Sequence, residues 1–207
     1  KKWMKLLGVI TARANSSRLP GKNLKKIKNK TLIEITIEFI KKVENIDDIL
    51  ITSDSAKINN IAKKKGIKVV EKRPSGLSSI TTPSALTVIH AVKWYEKKYK
   101  KKVEAIALFQ PTTPFRSVSF IKKCINKFFL FRERVASSNI YYKKKNSSST
   151  DGSIYIIDKK ELFRLKSFNE KNAIKIYSKS AVNSIDIDNF KDLNKALRLS
   201  NVIKNKT

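Results

Sequence analysis

The sequence predicts an α/β protein built on a doubly wound, mostly parallel sheet. Three observations carry this. Short apolar runs alternate along the chain with longer stretches of helical period, and the connections between them are short. The polar loops that look chemically richest follow apolar runs, where ligands sit in such sheets.

Leu6–Thr11 (LLGVIT) is a short apolar run and reads as a strand buried on both faces. Ala12–Lys26 follows as a polar loop containing Pro20 and Gly21. Leu32–Val43 spaces its apolar residues as a helix does, and Asp48–Ser53 is a second strand. Asp54 or Ser55 can cap the next helix, which Gly66 ends after Lys63–Lys65. Ile67–Glu71 is a third strand. Pro83–Tyr99 is an amphipathic helix with Leu86, Ile89, Val92 and Tyr95 on adjacent turns. Val103–Phe109 is a fourth strand, Gln110–Arg116 its loop and Ser117–Phe129 a helix. Gly152–Asp158 is a strand and Phe190–Leu199 a closing helix.

The 207 residues fit one domain, 1–207, large enough for a proper core. A hydrophobic content of 41 % excludes a disordered polymer. Cys124 is the sole cysteine, so no intrachain disulfide forms, and its helical context reads as core. No run approaches the ~20 apolar residues of a membrane span, and Lys1–Leu7 does not read as a signal peptide. A cytoplasmic location is expected. The net charge of +29 invites a nucleic-acid reading. Yet the lysines lie everywhere, at 25–30, 63–65, 97–102 and 143–145, without interleaved stacking aromatics. They read as solvated helix faces that also attract anionic substrates. His90, the single histidine, reads as a packed helix residue.

Three segments carry the chemistry. In Thr11–Asn23, the cations Arg13, Arg18 and Lys22 follow directly on a strand, among small and polar residues such as Ala12, Asn15 and Ser16. A polyphosphate needs that pairing of backbone N–H donors with cations, although no Walker loop is present. In Phe109–Arg116 (FQPTTPFR), two prolines stiffen a loop at a strand end, and Gln110 offers a donor and an acceptor where a sugar or base is read. In Ser184–Asp188 (SIDID), Asp186 and Asp188 alternate with isoleucines. A strand there would turn both carboxylates to one side, as a Mg²⁺ bridged to phosphates requires. Arg73, after the third strand, is a weaker candidate phosphate or base ligand.

Together these segments resemble the acylneuraminate cytidylyltransferase (CMP-sialic acid synthetase) family. The matches are Ala12–Asn23, Arg73–Leu77, Leu108–Arg116, Asp151–Ile156 and Ser184–Leu193, in order along nearly the whole chain. The resemblance implies a nucleotide-diphospho-sugar transferase fold, CTP as substrate, Mg²⁺ or Mn²⁺ as cofactor, an acidic nine-carbon sugar as acceptor, and a homodimer. It implies that Arg13 and Lys22 hold the triphosphate, with Ala12, Asn15, Ser16 and Arg73 as further nucleotide contacts. Gln110 and Tyr155 fall on the sugar side, and Asp186 and Asp188 hold the metal. The 3-deoxy-manno-octulosonate cytidylyltransferases share the Arg18–Lys22 portion and are the alternative, as is a non-catalytic nucleotide-binding relative or a nucleic-acid binder. The chain departs from the family at Ile80, at Asp151, and over 135–150, where family members carry a longer dimerisation and substrate segment.

Overall fold

The computed structural model describes residues 5–79, 81–131, 135–138, 152–168, 173–178 and 185–204. The sheet is built outward from β1 (Leu6–Ala12), whose side chains alternate between two cores. Leu6, Ile10 and Ala12 enter one core, and Leu7 and Val9 the other. On one side β1 pairs in parallel with β4 (Asp48–Ser53), which pairs in parallel with the short β5 (Lys68–Val69). On the other side it pairs in parallel with β6 (Ala105–Phe109). Beyond β6 the parallel order breaks. β8 (Tyr155–Asp158) runs antiparallel to both β6 and β7 (Val135–Ser138), and β9 (Ile174–Tyr177) runs parallel to β7. The chain reaches β7 by skipping one position, and β8 returns to fill it, giving the order β5-β4-β1-β6-β8-β7-β9.

Helices cover both faces. α1 (Leu32–Ile40), α2 (Ala56–Lys64) and α4 (Val118–Phe131) pack on the first core, where Cys124 is fully buried. α3 (Ser84–Tyr99) and α5 (Lys159–Leu165) pack on the second. Local chemistry sets the helix ends. Thr31 and Glu34 form a capping box at the start of α1. Ser55, not Asp54, caps α2, and Gly66 ends α2 with φ 68°. The helix expected over 32–43 stops at Ile40, although Val43 still packs beneath it, 3 % exposed. The third strand is two residues long where five were expected. None of the described helices is long and apolar enough to cross a membrane.

The crossover after β1 uses one face of the sheet and the one before β6 the other, so strand order reverses at the β1–β6 pair. A cleft opens there at the strands' carboxyl ends. Its rim is braced by a third cluster of Leu19, Ile27, Leu32, Ile185, Ile187, Leu193 and Ala196. This joins the loop after β1, the hairpin of β2 (Lys26–Ile27) and β3 (Lys30–Thr31), and α6 (Phe190–Lys204). Burying Ile185 and Ile187, 5 % and 0 % exposed, stabilises this arrangement by about 1.5–3 kcal/mol for each side chain. The expected strand at 184–188 is corrected here: residues 185–188 join no ladder. The two isoleucines impose alternation by their burial, and the Ile187 N–H donates to Thr112 O at 2.8 Å. Residues 139–150 and Asp151, where the chain departs from the family pattern, lie outside the described residues, as does Ile80.

Candidate active site

The cleft holds about 220 Å³ and is lined from four directions. The end of β1 and the loop after it supply Thr11, Arg13, Asn15, Ser16, Lys22 and Asn23. The approach to α3 and its first turn supply Arg73, Thr82, Ser84 and Thr87. The loop after β6 supplies Gln110, Pro111 and Thr112, and the segment before α6 supplies Asp186 and Asp188. Nearly all the residues singled out in the sequence meet here. Two do not. Ala12 ends β1 inside the core, 0 % exposed. Tyr155 lines a second cavity of about 350 Å³ together with Pro83, Ser84, Leu108, Gln110 and Phe168. Gln110 and Ser84 border both cavities.

The loop after β1 is held by polar ties as well as by Leu19. Asn23 Nδ2 donates to Arg13 O at 2.8 Å, and Asp54 Oδ1 accepts from the Ala14 N–H at 2.7 Å. Gly21, with φ 64°, turns the chain into a short 3₁₀ helix at Lys22–Leu24. Arg13 reaches across to donate to Ser79 O at 2.8 Å. Lys22, with its side chain 13 % exposed, lies 2.8 Å from Asp188 Oδ1. Arg18 lies 3.0 Å from Asp188 Oδ2. Both oxygens of Asp188 are thus occupied by cations.

The two aspartates occupy opposed electrostatic settings. Asp186 is open to the cleft, yet protein crowds it closely enough that dehydration raises its carboxyl above the usual range. The Thr112 side chain opposes that shift and the Asp188 charge adds to it. Burial also works against the Asp188 charge, but Lys22 and Arg18 outweigh it and hold that carboxyl low. Arg73 is half-buried. Its Nε donates to Leu77 O at 3.2 Å, its Nη1 to Thr52 O at 3.5 Å, and its Nη2 to Thr87 Oγ1 at 3.4 Å. Burial lowers its pKa, opposed by Asp54 and reinforced by Arg13. Burial and the Arg73 charge together hold His90 below its ordinary pKa. Arg73 therefore fixes the wall of the cleft as well as facing it.

Sequence reasoning missed Ser84 and Thr87, which the fold brings in from α3. No local pattern marks them beyond their place at a helix start. It also gave no role to Arg116. That guanidinium lies over the Phe39 and Phe109 rings, 5.9 and 5.6 Å from their centroids. From there it donates to Ser153 O at 2.9 Å, to Thr113 Oγ1 at 2.8 Å and to Gln110 O.

The arrangement can hold an elongated anion beside a polar acceptor. Among the described residues no group of three or more His, Cys, Asp or Glu forms a metal cage. Two carboxylates at one end of a phosphate-sized cleft suit a hard cation whose other ligands are phosphate oxygens and water.

Known proteins resemble this chain in sequence and in fold. The cytidylyltransferase family model matches residues 7–199. The CMP-N,N′-diacetyllegionaminic acid synthase of Legionella pneumophila is 28 % identical, over 89 % of this chain and 91 % of that protein. The N-acylneuraminate cytidylyltransferase of Escherichia coli O18:K1:H7 is 25 % identical over 94 % of this chain, which spans about half of that protein (52 %). Among solved structures, a CMP:2-keto-3-deoxy-manno-octonic acid synthetase complexed with CTP superposes with a TM-score of 0.70. It is 14 % identical and covered over 98 % of its length by 95 % of this chain.

Proposed function

We propose that this chain, which belongs to the cytidylyltransferase family, transfers CMP from CTP to the anomeric hydroxyl of an acidic nine-carbon sugar. The observation that carries the reading is the meeting of Arg13, Lys22, Gln110, Asp186 and Asp188 around one cleft. The names of the two curated relatives supply the sugar class.

The triphosphate lies along the loop after β1, where Arg13, Lys22 and the Asn15–Ser16 backbone meet its charge. The sugar enters the neighbouring cavity, between Gln110 and the aromatic pair Tyr155–Phe168, whose rings lie 5.7 Å apart. Its anomeric oxygen attacks the α-phosphorus. The new P–O bond forms as the bond to the β-phosphate oxygen breaks, and pyrophosphate leaves with that electron pair. The hydroxyl proton passes out of the cleft. Placing the oxygen in line and neutralising the leaving group account for catalysis of this type. Asp186 and Asp188 would hold Mg²⁺ or Mn²⁺, which supplies charge neutralisation on the phosphates when bound. Arg18 and Lys22, freed from Asp188, would turn to the phosphates. The same reading carries the homodimer that the resemblance implies and the cytoplasmic location expected from the sequence.

The test is pyrophosphate release with CTP and Mg²⁺ across a panel of acids. The panel comprises N-acetylneuraminate, N,N′-diacetyllegionaminate, pseudaminate and 3-deoxy-manno-octulosonate, the last because of Arg18–Lys22. Turnover with a nine-carbon acid, abolished by Arg13→Ala and by Asp186→Asn, is expected. An active double variant sinks the site assignment. CTP-dependent thermal stabilisation without turnover favours a non-catalytic relative.

A further inference from the structure

We propose that Gly152 is a positioning residue: its missing side chain seats the Gln110 carboxamide between the two cavities with its oxygen turned inward and its NH₂ turned to the substrate. The proposal rests on the reading of Gln110 as a sugar contact.

Gly152 lies just before β8, with φ 71°. A Cβ built there would stand 2.6 Å from Gln110 Oε1 and 3.7 Å from Thr113 Cγ2. Non-bonded carbon and oxygen do not approach to 2.6 Å, so either the Gln110 side chain or the backbone beneath it must move. The backbone is tied down. Thr113, 0 % exposed, shares its one hydroxyl proton between Gln110 O at 3.1 Å and Gly152 O at 3.2 Å. Arg116, in cation–π contact with two phenylalanine rings, holds Gln110 O and Thr113 Oγ1 on one strand end and Ser153 O on the other. The turn after β6 and the entry to β8 therefore form one braced unit. The part free to yield is the far end of the Gln110 side chain.

That side chain makes no hydrogen bond among the described residues, although it borders both cavities. Its orientation comes from shape. The hydrogen that Gly152 carries in place of Cβ faces the carboxamide oxygen, which leaves the NH₂ as the donor presented to a ligand. Two donors suit a carboxylate or hydroxyl oxygen of the sugar acid. A side chain at position 152 displaces the carboxamide without touching the triphosphate cations, so its effect falls on the sugar and not on CTP.

The experiment is steady-state kinetics of the full chain with N,N′-diacetyllegionaminate and CTP, for Gln110→Ala, Gly152→Ala and the double variant. Gln110→Ala is expected to raise KM for the sugar about tenfold, the scale of one lost hydrogen bond to a charged group, with KM for CTP unchanged. Gly152→Ala is expected to raise the sugar KM similarly in the wild-type background. In the Gln110→Ala background it should change that KM by less than about twofold, because no carboxamide remains to be displaced. Backbone strain at a positive φ would persist in both backgrounds, so an additive loss overturns the proposal. Gly152→Asn carries the same Cβ on a residue that tolerates this backbone region and stands in if the alanine variant does not fold. If Gln110→Ala leaves the sugar KM unchanged, the sugar-contact reading falls and takes the proposal with it. If only Gly152→Ala is silent, the proposal alone falls. Independently of turnover, the Gln110 side-chain NH₂ resonances, assigned by their loss in Gln110→Ala, should shift in Gly152→Ala; unchanged resonances overturn the proposal.

Discussion

Lys22 Nζ stands 2.8 Å from Asp188 Oδ1, so a candidate phosphate cation is paired with a candidate metal carboxylate. On the proposed function, both groups would change partners when nucleotide and metal bind. Lys22→Met therefore acts with opposite signs on the two ligands. Its CTP dissociation constant should rise about 10–100-fold, the worth of one charge-assisted hydrogen bond. Its Mn²⁺ affinity without nucleotide should increase, because one oxygen of Asp188 is released. Calorimetry with CTP and electron paramagnetic resonance of free Mn²⁺ check the two arms.

Asp186→Asn should abolish turnover while raising the melting temperature of the ligand-free protein at neutral pH. Crowding by protein atoms and the like charge of Asp188 both work against the carboxylate, and the amide removes both penalties. Differential scanning fluorimetry against the wild type decides it.

Far from the cleft, Tyr95 and Lys68 hold Asp48. The Tyr95 hydroxyl donates to Oδ2 at 2.7 Å, and Lys68 Nζ lies at the same distance. Burial works to raise this carboxyl, but Lys68 and Tyr95 outweigh it and keep it below the usual range. A depressed pKa contributes stability that is present above the unfolded-state value and lost as pH falls through the folded-state value. Tyr95→Phe should lose about 1–3 kcal/mol at pH 7, the range for hydrogen bonds to charged groups and the desolvation left behind, with kinetics unchanged. The loss should shrink below pH 4, which denaturant melts at pH 7 and pH 3 will show.

Arg73→Lys should not restore what Arg73→Ala removes. The guanidinium spans Leu77 O, Thr52 O and Thr87 Oγ1, a fork that an ammonium cannot reproduce. Both variants are expected to weaken CTP binding about tenfold or more, as loss of charged hydrogen bonds at this wall implies. Isothermal titration compares them.

The central sheet and its loops were legible because their signals are local. The apolar run at Leu6–Thr11, the cations at Arg13 and Lys22 and the prolines after Gln110 are each marked within a few residues. What was not legible depends on distant partners. Asp186 and Asp188 alternate because Ile185 and Ile187 meet Leu19 and Leu32 across the fold, not because of a strand. Arg116 closes a motif in sequence, but its use as a brace emerges only when Phe39 and Ser153 arrive beside it. The insertion of β8 between β6 and β7 leaves no mark on any single segment.

The ties that hold the loop after β1, Asn23 to Arg13 O and Asp54 to the Ala14 N–H, have a calorimetric consequence. A mould set before the ligand arrives has little disorder left to lose, so nucleotide binding should carry a small entropic penalty. A rigid mould also does not follow a shrinking guest. CDP and CMP forfeit their missing phosphate contacts outright, and affinity falls stepwise with each phosphate removed.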